Sequence, residues 1–370
     1  MSIRSFFILI LCFLVSLLTH KLYIIVKSQF VKESTKYILY WIPMWNSNTF
    51  GFGADKYDLF KNCKYKNCYA THDRRLIPLD KFDAIVFHGA EYDVSYKRPS
   101  IRHSHQRYIF ANMESPMSSY PVDLDLYALF YNWTMTYRKD SDIFMPYGYV
   151  IKNKTGYVMP TIESIKNRTK LVAWITSHCY TPNKREILVH NLRLYVNTDI
   201  YGMCGTYNCP TDTSKRKRPT DCYSFIVKHY KFYFSFENSH CKDYVTEKLY
   251  MLLERDIVPI VYGDVDYDAV APPHSVIVAD KFQSVRELAN YILFLNENIT
   301  EYLKYFEWKK YYSIDRSKDK AACKLCEMLN DPLEPPNVYR DINNWWFGEN
   351  FNSCKKVAEL SNITQQICPY

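Results

Sequence analysis

The sequence predicts an α/β protein whose two halves face each other across a cleft, preceded by a single transmembrane helix. Three observations lead to this prediction: short apolar runs alternate with helix-patterned stretches, a polar gap divides the alternation, and an apolar segment opens the chain. Of the 370 residues, 48% are hydrophobic and only 9 are glycine, which indicates a globular protein and excludes a disordered or fibrous one. The formal net charge of +8 suits an anionic partner without identifying one.

The opening apolar segment has the length of a membrane helix. Residues 6–18 are all apolar apart from Ser16, and the segment continues to Val26, giving 21 residues against the roughly 20 that a bilayer requires. A cleaved signal peptide has a similar apolar core, but no convincing cleavage site follows. We therefore predict a cytosolic tail over 1–5, a transmembrane signal-anchor over 6–26 and a short stem over 27–36.

Sequons and cysteines favour an oxidising lumenal compartment for the remainder of the chain. Eleven of the 12 cysteines follow the apolar segment, and only Cys323 and Cys326 have the C-x-x-C spacing typical of zinc ligands. We therefore expect structural disulfides, with at least one cysteine left over because the number is odd. Asn-x-Ser/Thr sequons, which are predicted glycosylation sites, occur at Asn132, Asn153, Asn167, Asn298 and Asn362.

The apolar runs have the length of buried strands. They lie at 37–42, 83–88, 107–111, 171–175, 198–201, 232–236, 257–262 and 275–279. Several are too uniformly apolar for one-sided strands, which favours central strands of covered parallel sheets. Helix-spaced apolar positions at 185–196, 243–253 and 284–295 complete the alternation. The polar gap around 151–168 predicts an N-terminal domain over 37–155, a C-terminal domain over 156–330, and a tail over 331–370 that packs back on the body.

Residues 232–250, FYFSFENSHCKDYVTEKLY, combine a strand, a polar loop and a helix predicted to begin near Asp243. Tyr244, Glu247 and Lys248 fall at i, i+3 and i+4 on one face of that helix. A helix N-terminus at the carboxyl end of a parallel strand binds phosphates in α/β folds, and a lysine there can pair with a diphosphate. Spacing alone nevertheless favours a simpler interpretation, an exposed Glu–Lys face capped by Asp243.

The same stretch, followed by IVPIVYG at 257–263, resembles the signature block of the alpha-1,3-fucosyltransferases, Golgi type II membrane glycosyltransferases that use GDP-fucose. Three further blocks match in order: MESP at 113–116, NWTMTYRKDSDIFMPYG at 132–148, and KLVAWITSHCYTPNKR at 170–185 leading to VNTDIYGMC at 196–204. The resemblance extends from about residue 80 to residue 310. It implies a GT-B-like fold of two Rossmann-like domains, with the acceptor on the N-terminal side and GDP-fucose on the C-terminal side. It also implies a Golgi membrane location with a lumenal catalytic body.

The resemblance further implies roles for individual residues. Glu114 matches the general base, and His178 departs from the asparagine that the family usually has. The implied donor-binding residues are Arg185 and Lys248 for the diphosphate, Glu247 for the ribose, and Asn238 and Tyr244 at further donor positions. The implied reaction is the inverting transfer of L-fucose from GDP-β-L-fucose to the 3-hydroxyl of GlcNAc in glycoprotein glycans.

No cofactor and no nucleic-acid partner are expected. D-x-D pairs occur at 123–125, 140–142 and 264–266, and three occurrences in one chain are better explained as surface acids than as metal ligands. Manganese could still stimulate by screening GDP. The basic run at 215–218 is more typical of a solvated loop in a lumenal protein.

Two alternatives stay open on the sequence. The first is a non-catalytic lumenal protein of the same fold that binds glycans or nucleotide sugars, against which the intact Glu114, Arg185, Glu247 and Lys248 argue. The second concerns the acceptor, which is either a peripheral GlcNAc in Lewis-type antennae or the Asn-linked core GlcNAc.

Overall fold

The computed structural model describes residues 34–355, except 46, 52, 56, 91–96, 120–126 and 210–219, together with residue 363. The predicted cytosolic tail, the anchor and nearly all of the stem lie outside the described residues, as do the sequon at Asn362 and the basic run at 215–218. Within the described part of the chain, no helix combines the length and the apolar character needed to span a bilayer.

The first sheet is built from parallel strands in the order β2-β1-β3-β4-β5-β6. Every residue of the two strands at 84–88 and 133–136 is buried, as expected for central strands covered on both faces. The strands are β1 (Lys36–Tyr40), β2 (Cys68–Thr71), β3 (Ala84–His88), β4 (Arg107–Asn112), β5 (Trp133–Thr136) and β6 (Ile143–Phe144).

The second sheet is also parallel and has the order β12-β11-β10-β8-β9. Between the two sheets in the chain lies β7 (Tyr149–Lys152), which pairs antiparallel with the late strand β13 (Tyr312–Asp315). The strands of the second sheet are β8 (Lys170–Ile175), β9 (Thr198–Tyr201), β10 (Tyr230–Phe236), β11 (Val258–Tyr262) and β12 (Ile277–Val278).

Helices connect and cover the strands. The α-helices are α1 (Ile162–Lys166), α2 (Arg185–Leu192), α3 (Thr220–His229), α4 (Glu247–Leu253), α5 (Tyr267–Val270), α6 (Val285–Glu297), α7 (Ile299–Leu303), α8 (Asp319–Asn330) and α9 (Ile342–Phe347). Short 3-10 helices lie at Tyr57–Phe60, Leu79–Lys81, Ala279–Lys281, Lys304–Lys310 and Glu349–Phe351. The α/β class with parallel sheets is thus confirmed, and each of the eight predicted apolar runs overlaps a strand.

The predicted start of the helix near Asp243 is wrong. Asp243 has a φ of 60°, which lies in the left-handed region, and the helix begins only at Glu247. Thr246 is its N-cap, because its side chain accepts a hydrogen bond from the Lys248 amide. Tyr244 therefore lies in the preceding loop and does not share a helix face with Glu247 and Lys248.

Helix α8, which the sequence prediction assigned to the C-terminal domain, packs on the first sheet. Its residues Ala321, Ala322 and Leu325 belong to the same hydrophobic core as β1, β3 and β4. Disulfides Cys63–Cys323 and Cys68–Cys326 attach the helix to that part of the protein. The chain thus returns to the first sheet after completing the second. The domain boundaries predicted at 37–155, 156–330 and 331–370 stay predictions.

The expected structural disulfides are present. In addition to the two on α8, the described cysteines form Cys179–Cys204, Cys209–Cys222 and Cys241–Cys354. The C-x-x-C pair of Cys323 and Cys326 is therefore used in two separate disulfides and not in a zinc site. Cys368, the eleventh cysteine after the apolar segment, lies outside the described residues.

Candidate active site

The loop 237–246, which joins β10 to α4, is closed by a single buried carboxylate. Glu237 follows β10 directly and has a side chain only 1% exposed. At the other end of the loop, the Thr246 amide and hydroxyl donate hydrogen bonds to its Oε1 at 2.8 and 2.9 Å. Because Thr246 also caps α4, the buried carboxylate fixes where this helix begins.

Lys248 lies against this carboxylate at the start of α4. Its Nζ is 3.2 Å from Glu237 Oε2 and 3.6 Å from Glu247 Oε1. Burial opposes the charged form of the lysine, but the two carboxylates outweigh that effect and raise the pKa of the ammonium. Lys248 is therefore a cation at neutral pH and keeps 29% of its side chain accessible.

Glu114 reaches the same place from the first sheet. It lies just beyond β4, where its amide donates to Asn112 Oδ1 at 2.9 Å. The Tyr244 hydroxyl donates to Glu114 Oε2 at 3.3 Å, which joins this carboxylate to the loop 237–246. Burial raises the pKa of Glu114, although the Lys248 charge and the Tyr244 hydrogen bond act in the opposite direction. The carboxylate is consequently a stronger base than an exposed glutamate.

Arg185 supplies a second cation, which is buried, at the carboxyl ends of β8 and β10. Its Nη1 donates to the Phe236 carbonyl at 2.5 Å and its Nη2 donates to Thr176 Oγ1 at 3.3 Å. Its Nε has no hydrogen-bond partner within the described chain. Burial lowers the pKa of the guanidinium, an effect that Glu237 partly offsets. A buried guanidinium with unused donors is well suited to an anionic ligand.

All six predicted catalytic and donor-binding residues lie around this loop. Asn238 is the loop's second residue, and its Oδ1 accepts a hydrogen bond from the Ser239 hydroxyl at 3.2 Å. That hydroxyl is also 2.8 Å from the Ser115 hydroxyl, next to Glu114. His178, the residue that departs from the family pattern, is exposed, and its carbonyl accepts a hydrogen bond from Thr176 Oγ1.

Two residues near the site were missed by sequence reasoning. Glu237 lies within the sequence block 232–250 described above. The feature that could have drawn attention to it is its position at the end of a buried strand. Lys318 precedes α8, donates to the Pro146 carbonyl at 2.7 Å and lies 5.0 Å from the centre of the Tyr147 ring. Burial lowers its pKa to about 8, with Glu247 acting in the opposite direction. No local pattern indicates Lys318, because its position depends on the return of α8 to the first sheet.

The D-x-D carboxylates that the structure describes are engaged by protein groups. Asp140 pairs with Arg138 at 2.6 Å and with Lys242 at 2.9 Å. Asp142 accepts hydrogen bonds from the Thr134 amide at 2.7 Å and from the Tyr339 hydroxyl at 2.9 Å. The two side chains therefore face different partners. Asp264 is likewise paired, with Lys355 at 2.5 Å.

The predicted glycosylation sites differ in accessibility. Asn153, Asn167 and Asn298 are exposed. Asn132 is only 4% exposed, its Nδ2 donates to the Asn337 carbonyl at 2.8 Å, and its Oδ1 accepts from the Tyr108 amide. A glycan on Nδ2 would require this buried side chain to leave its place, so the prediction at Asn132 is at odds with the fold.

Comparison with known proteins shows which families this chain is similar to. The family model "Glycosyltransferase family 10 (fucosyltransferase) C-term" matches residues 165–345, and "Fucosyltransferase, N-terminal" matches residues 33–148. Alpha-(1,3)-fucosyltransferase C of Drosophila melanogaster is 36% identical over 355 residues, which cover 89% of this chain and 80% of the relative. Alpha-(1,3)-fucosyltransferase fut-5 of Caenorhabditis elegans is 34% identical over 302 residues, 78% of each chain.

A solved structure supports the fold. The crystal structure of an alpha1,3-fucosyltransferase with GDP-fucose superposes with a TM-score of 0.50, covering 84% of this chain and 94% of the other. The sequence identity over this superposition is 16%, so the likeness concerns the fold alone.

Proposed function

Since this chain belongs to glycosyltransferase family 10, the fucosyltransferases, we propose that it transfers L-fucose from GDP-β-L-fucose to the 3-hydroxyl of GlcNAc in glycoprotein glycans. The observation that carries the proposal is the meeting of Glu114 with the loop 237–246 through the Tyr244 hydroxyl. At that contact a basic carboxylate of the first sheet lies beside the cations at the carboxyl edge of the second. A transferase needs both groups in one place.

The donor binds on the second sheet. Arg185 and Lys248 are the cations for the diphosphate, and both lie next to strand ends where α/β folds receive phosphates. Glu247, which is partly exposed at the start of α4, accepts hydrogen bonds from the ribose hydroxyls. Asn238 and Tyr244 complete the donor pocket from the loop. We place these two units in a GT-B arrangement, with the acceptor entering from the side of the first sheet.

The acceptor is activated by Glu114. Its carboxylate takes the proton of the 3-hydroxyl as that oxygen attacks the anomeric carbon of fucose. The bond between this carbon and the β-phosphate oxygen breaks on the opposite face, and GDP leaves with the electron pair. The configuration therefore changes from β to α in one displacement. A positioned base contributes on the order of 10²–10⁴-fold, and Arg185 with Lys248 stabilises the charge that accumulates on GDP.

The proposal includes a Golgi membrane location, with the apolar segment at 6–26 as the anchor and the body in the lumen. It requires no metal, because the two cations and the donor pocket would neutralise the diphosphate. Manganese could stimulate the release of GDP.

Transfer assays test the proposal directly. The full chain in detergent is incubated with radiolabelled GDP-fucose and a glycan array that contains both antennal and core GlcNAc acceptors, and the product linkage is determined by NMR. We expect α-1,3-linked fucose on at least one class of acceptor, and the array identifies which. Binding of GDP-fucose and glycans without any transfer would instead favour the non-catalytic binding protein.

A further inference from the structure

A large basic cavity lies at the edge of the second sheet opposite the candidate active site. It has a volume of about 1030 Å³ and opens where β8, β9 and β10 begin. Strand β10 has seven residues, and at about 3.3 Å per residue it separates this edge from Glu237 by roughly 20 Å. Its charged lining consists of Lys166, Arg168, Lys170, Arg193 and Lys231 with the single carboxylate Asp199, a set that we call the basic cavity.

Two of these cations are buried without a carboxylate partner. Lys170 is paired with Asp199 at 2.7 Å. Arg168 and Lys231 are only 9% and 8% exposed, and among the residues that the structure describes neither forms an ion pair. Arg168 donates to the carbonyls of Tyr230 and Asp256, whereas Lys231 donates to the Asn296 carbonyl at 3.4 Å and to its Oδ1 at 2.7 Å. Carbonyl oxygens satisfy hydrogen bonds but supply no negative charge.

Burial of an unpaired charge is costly, so this cavity favours an anion. Burial lowers the pKa of Lys231, and the neighbouring Arg168 adds to the effect. An anionic group that accepted from both side chains would supply the missing counter-charge. With Lys166 and Arg193 exposed at the rim, the cavity offers cations at several separate points and not at one.

The shape and the rim favour a saccharide among anionic ligands. The volume corresponds to a ligand of several sugar rings and is much larger than one phosphate requires. Tyr195 and Tyr207 line the cavity and are 42% and 44% exposed, so their rings offer apolar faces beside the cations. The headgroups of a flat membrane could not reach Lys231, because this residue lies inside a concave cavity.

We propose that the basic cavity is a second ligand site, which binds an acidic oligosaccharide carrying sulfate or carboxylate groups, separate from the site of fucose transfer. This inference rests on the cavity alone and does not depend on the proposed reaction.

Binding of a defined oligosaccharide tests it. The full chain in detergent is titrated calorimetrically with a heparin-derived hexasaccharide, and Asn167→Gln, which removes the exposed sequon beside Lys166 and Arg168, should bind it at least as tightly. Maltohexaose, an uncharged hexasaccharide, is the ligand control. We expect saturable binding of one hexasaccharide per chain, which weakens as salt is raised, and no binding of the control.

Substitutions locate the site. Lys231→Met should weaken binding by about tenfold or more, the usual effect of losing a charge-assisted hydrogen bond. Lys166→Ser with Arg193→Ser should weaken it by roughly tenfold through two exposed contacts. Lys61→Ser with Lys66→Ser removes the same charge from exposed positions elsewhere and should change affinity less than about twofold. Lys231→Met should not lower the melting temperature, because it removes a buried unpaired charge.

Several results would overturn the proposal. The first is absence of binding. The second is an equal loss of affinity in the control variant Lys61→Ser with Lys66→Ser. The third is competition by GDP, which would place the hexasaccharide in the donor site. Inorganic tripolyphosphate or vesicles rich in phosphatidylserine that bind as tightly, with the same dependence on Lys231, would show that the ligand class is wrong.

Discussion

The ion pair between Lys248 and Glu237 predicts that Lys248→Ala weakens stability as well as nucleotide binding. Glu237 is almost fully buried and Lys248 is its cationic partner at 3.2 Å. Removing one partner of a buried pair typically costs about 3–5 kcal/mol. Here Lys248 is partly exposed and Thr246 still donates two hydrogen bonds to the carboxylate, so we expect about 2–3 kcal/mol, below that range. At roughly 2–4 °C per kcal/mol, the melting temperature should fall by about 4–12 °C.

Nucleotide affinity should fall in the same variant for a different reason. Loss of one charge-assisted contact to phosphate costs about 1.5–3 kcal/mol, or about 10- to 150-fold in affinity for GDP. The double variant Glu237→Gln/Lys248→Met separates the two effects, because it removes both charges and keeps the side-chain volumes similar. Its stability should recover most of the loss while GDP binding stays weak.

Thermal denaturation and calorimetric titration with GDP measure both quantities on the same samples. Lys242→Ala is the matched control, since this lysine lies in the same loop but pairs with the accessible Asp140. It should change the melting temperature and the affinity little. The reasoning is refuted if Lys248→Ala binds GDP normally, or if the double variant regains affinity together with stability.

Four further predictions follow from the site and the fold. Glu114→Gln should keep GDP binding while turnover falls about 10²-fold or more. Because burial raises the Glu114 pKa, wild-type transfer should be lost, as the pH is lowered, at a higher pH than an exposed glutamate would cause. The raised pKa also means that protonation of Glu114 favours the folded state, so the uncharged Gln variant should not have a lower melting temperature at pH 7. Removing either Cys63–Cys323 or Cys68–Cys326 should cost little stability, because the other bond closes nearly the same loop. Removing both should lower the free energy of unfolding by about 5 kcal/mol, measured by thermal denaturation. Chelation with EDTA should leave transfer intact, and its abolition would show that a metal is required. Glycosidase digestion of the chain from animal cells should collapse a heterogeneous band, and an unglycosylated cytosolic body would contradict the lumenal topology.

The sheets could be predicted from the sequence because their central strands are buried on both faces. Uniformly apolar runs such as 232–236 and 257–262 have few alternatives to a covered parallel strand. The strands that escaped prediction are short or contain polar residues, as in β2 (CYAT) and β7 (YVIK). Their pairing depends on neighbours far away in the sequence, which local patterns do not record.

The sequence indicated which residues lie around the loop 237–246, but not how they are arranged. Local spacing placed Tyr244 on a helix with Glu247 and Lys248, yet the left-handed Asp243 and the cap at Thr246 delay the helix. The delay results from Glu237, whose carboxylate holds Thr246 from nine residues earlier in the chain. Glu237 was overlooked because a buried carboxylate at a strand end has no helical or alternating pattern to mark it.

The loop 237–246 belongs to both halves of the protein, and this explains why Glu114 lies near the cations of the second sheet. The loop leaves the second sheet at β10 and returns at α4, but Cys241 and Tyr244 are buried in the core of the first sheet. The Cys241–Cys354 disulfide and the bond from the Lys242 amide to the Ser353 carbonyl attach it to the C-terminal segment after α9. That segment, like α8, packs on the first sheet, so the loop is held where Tyr244 can donate to Glu114. The relative position of the two groups is therefore set by packing and a covalent bond, and only in smaller part by the Tyr244 hydrogen bond itself.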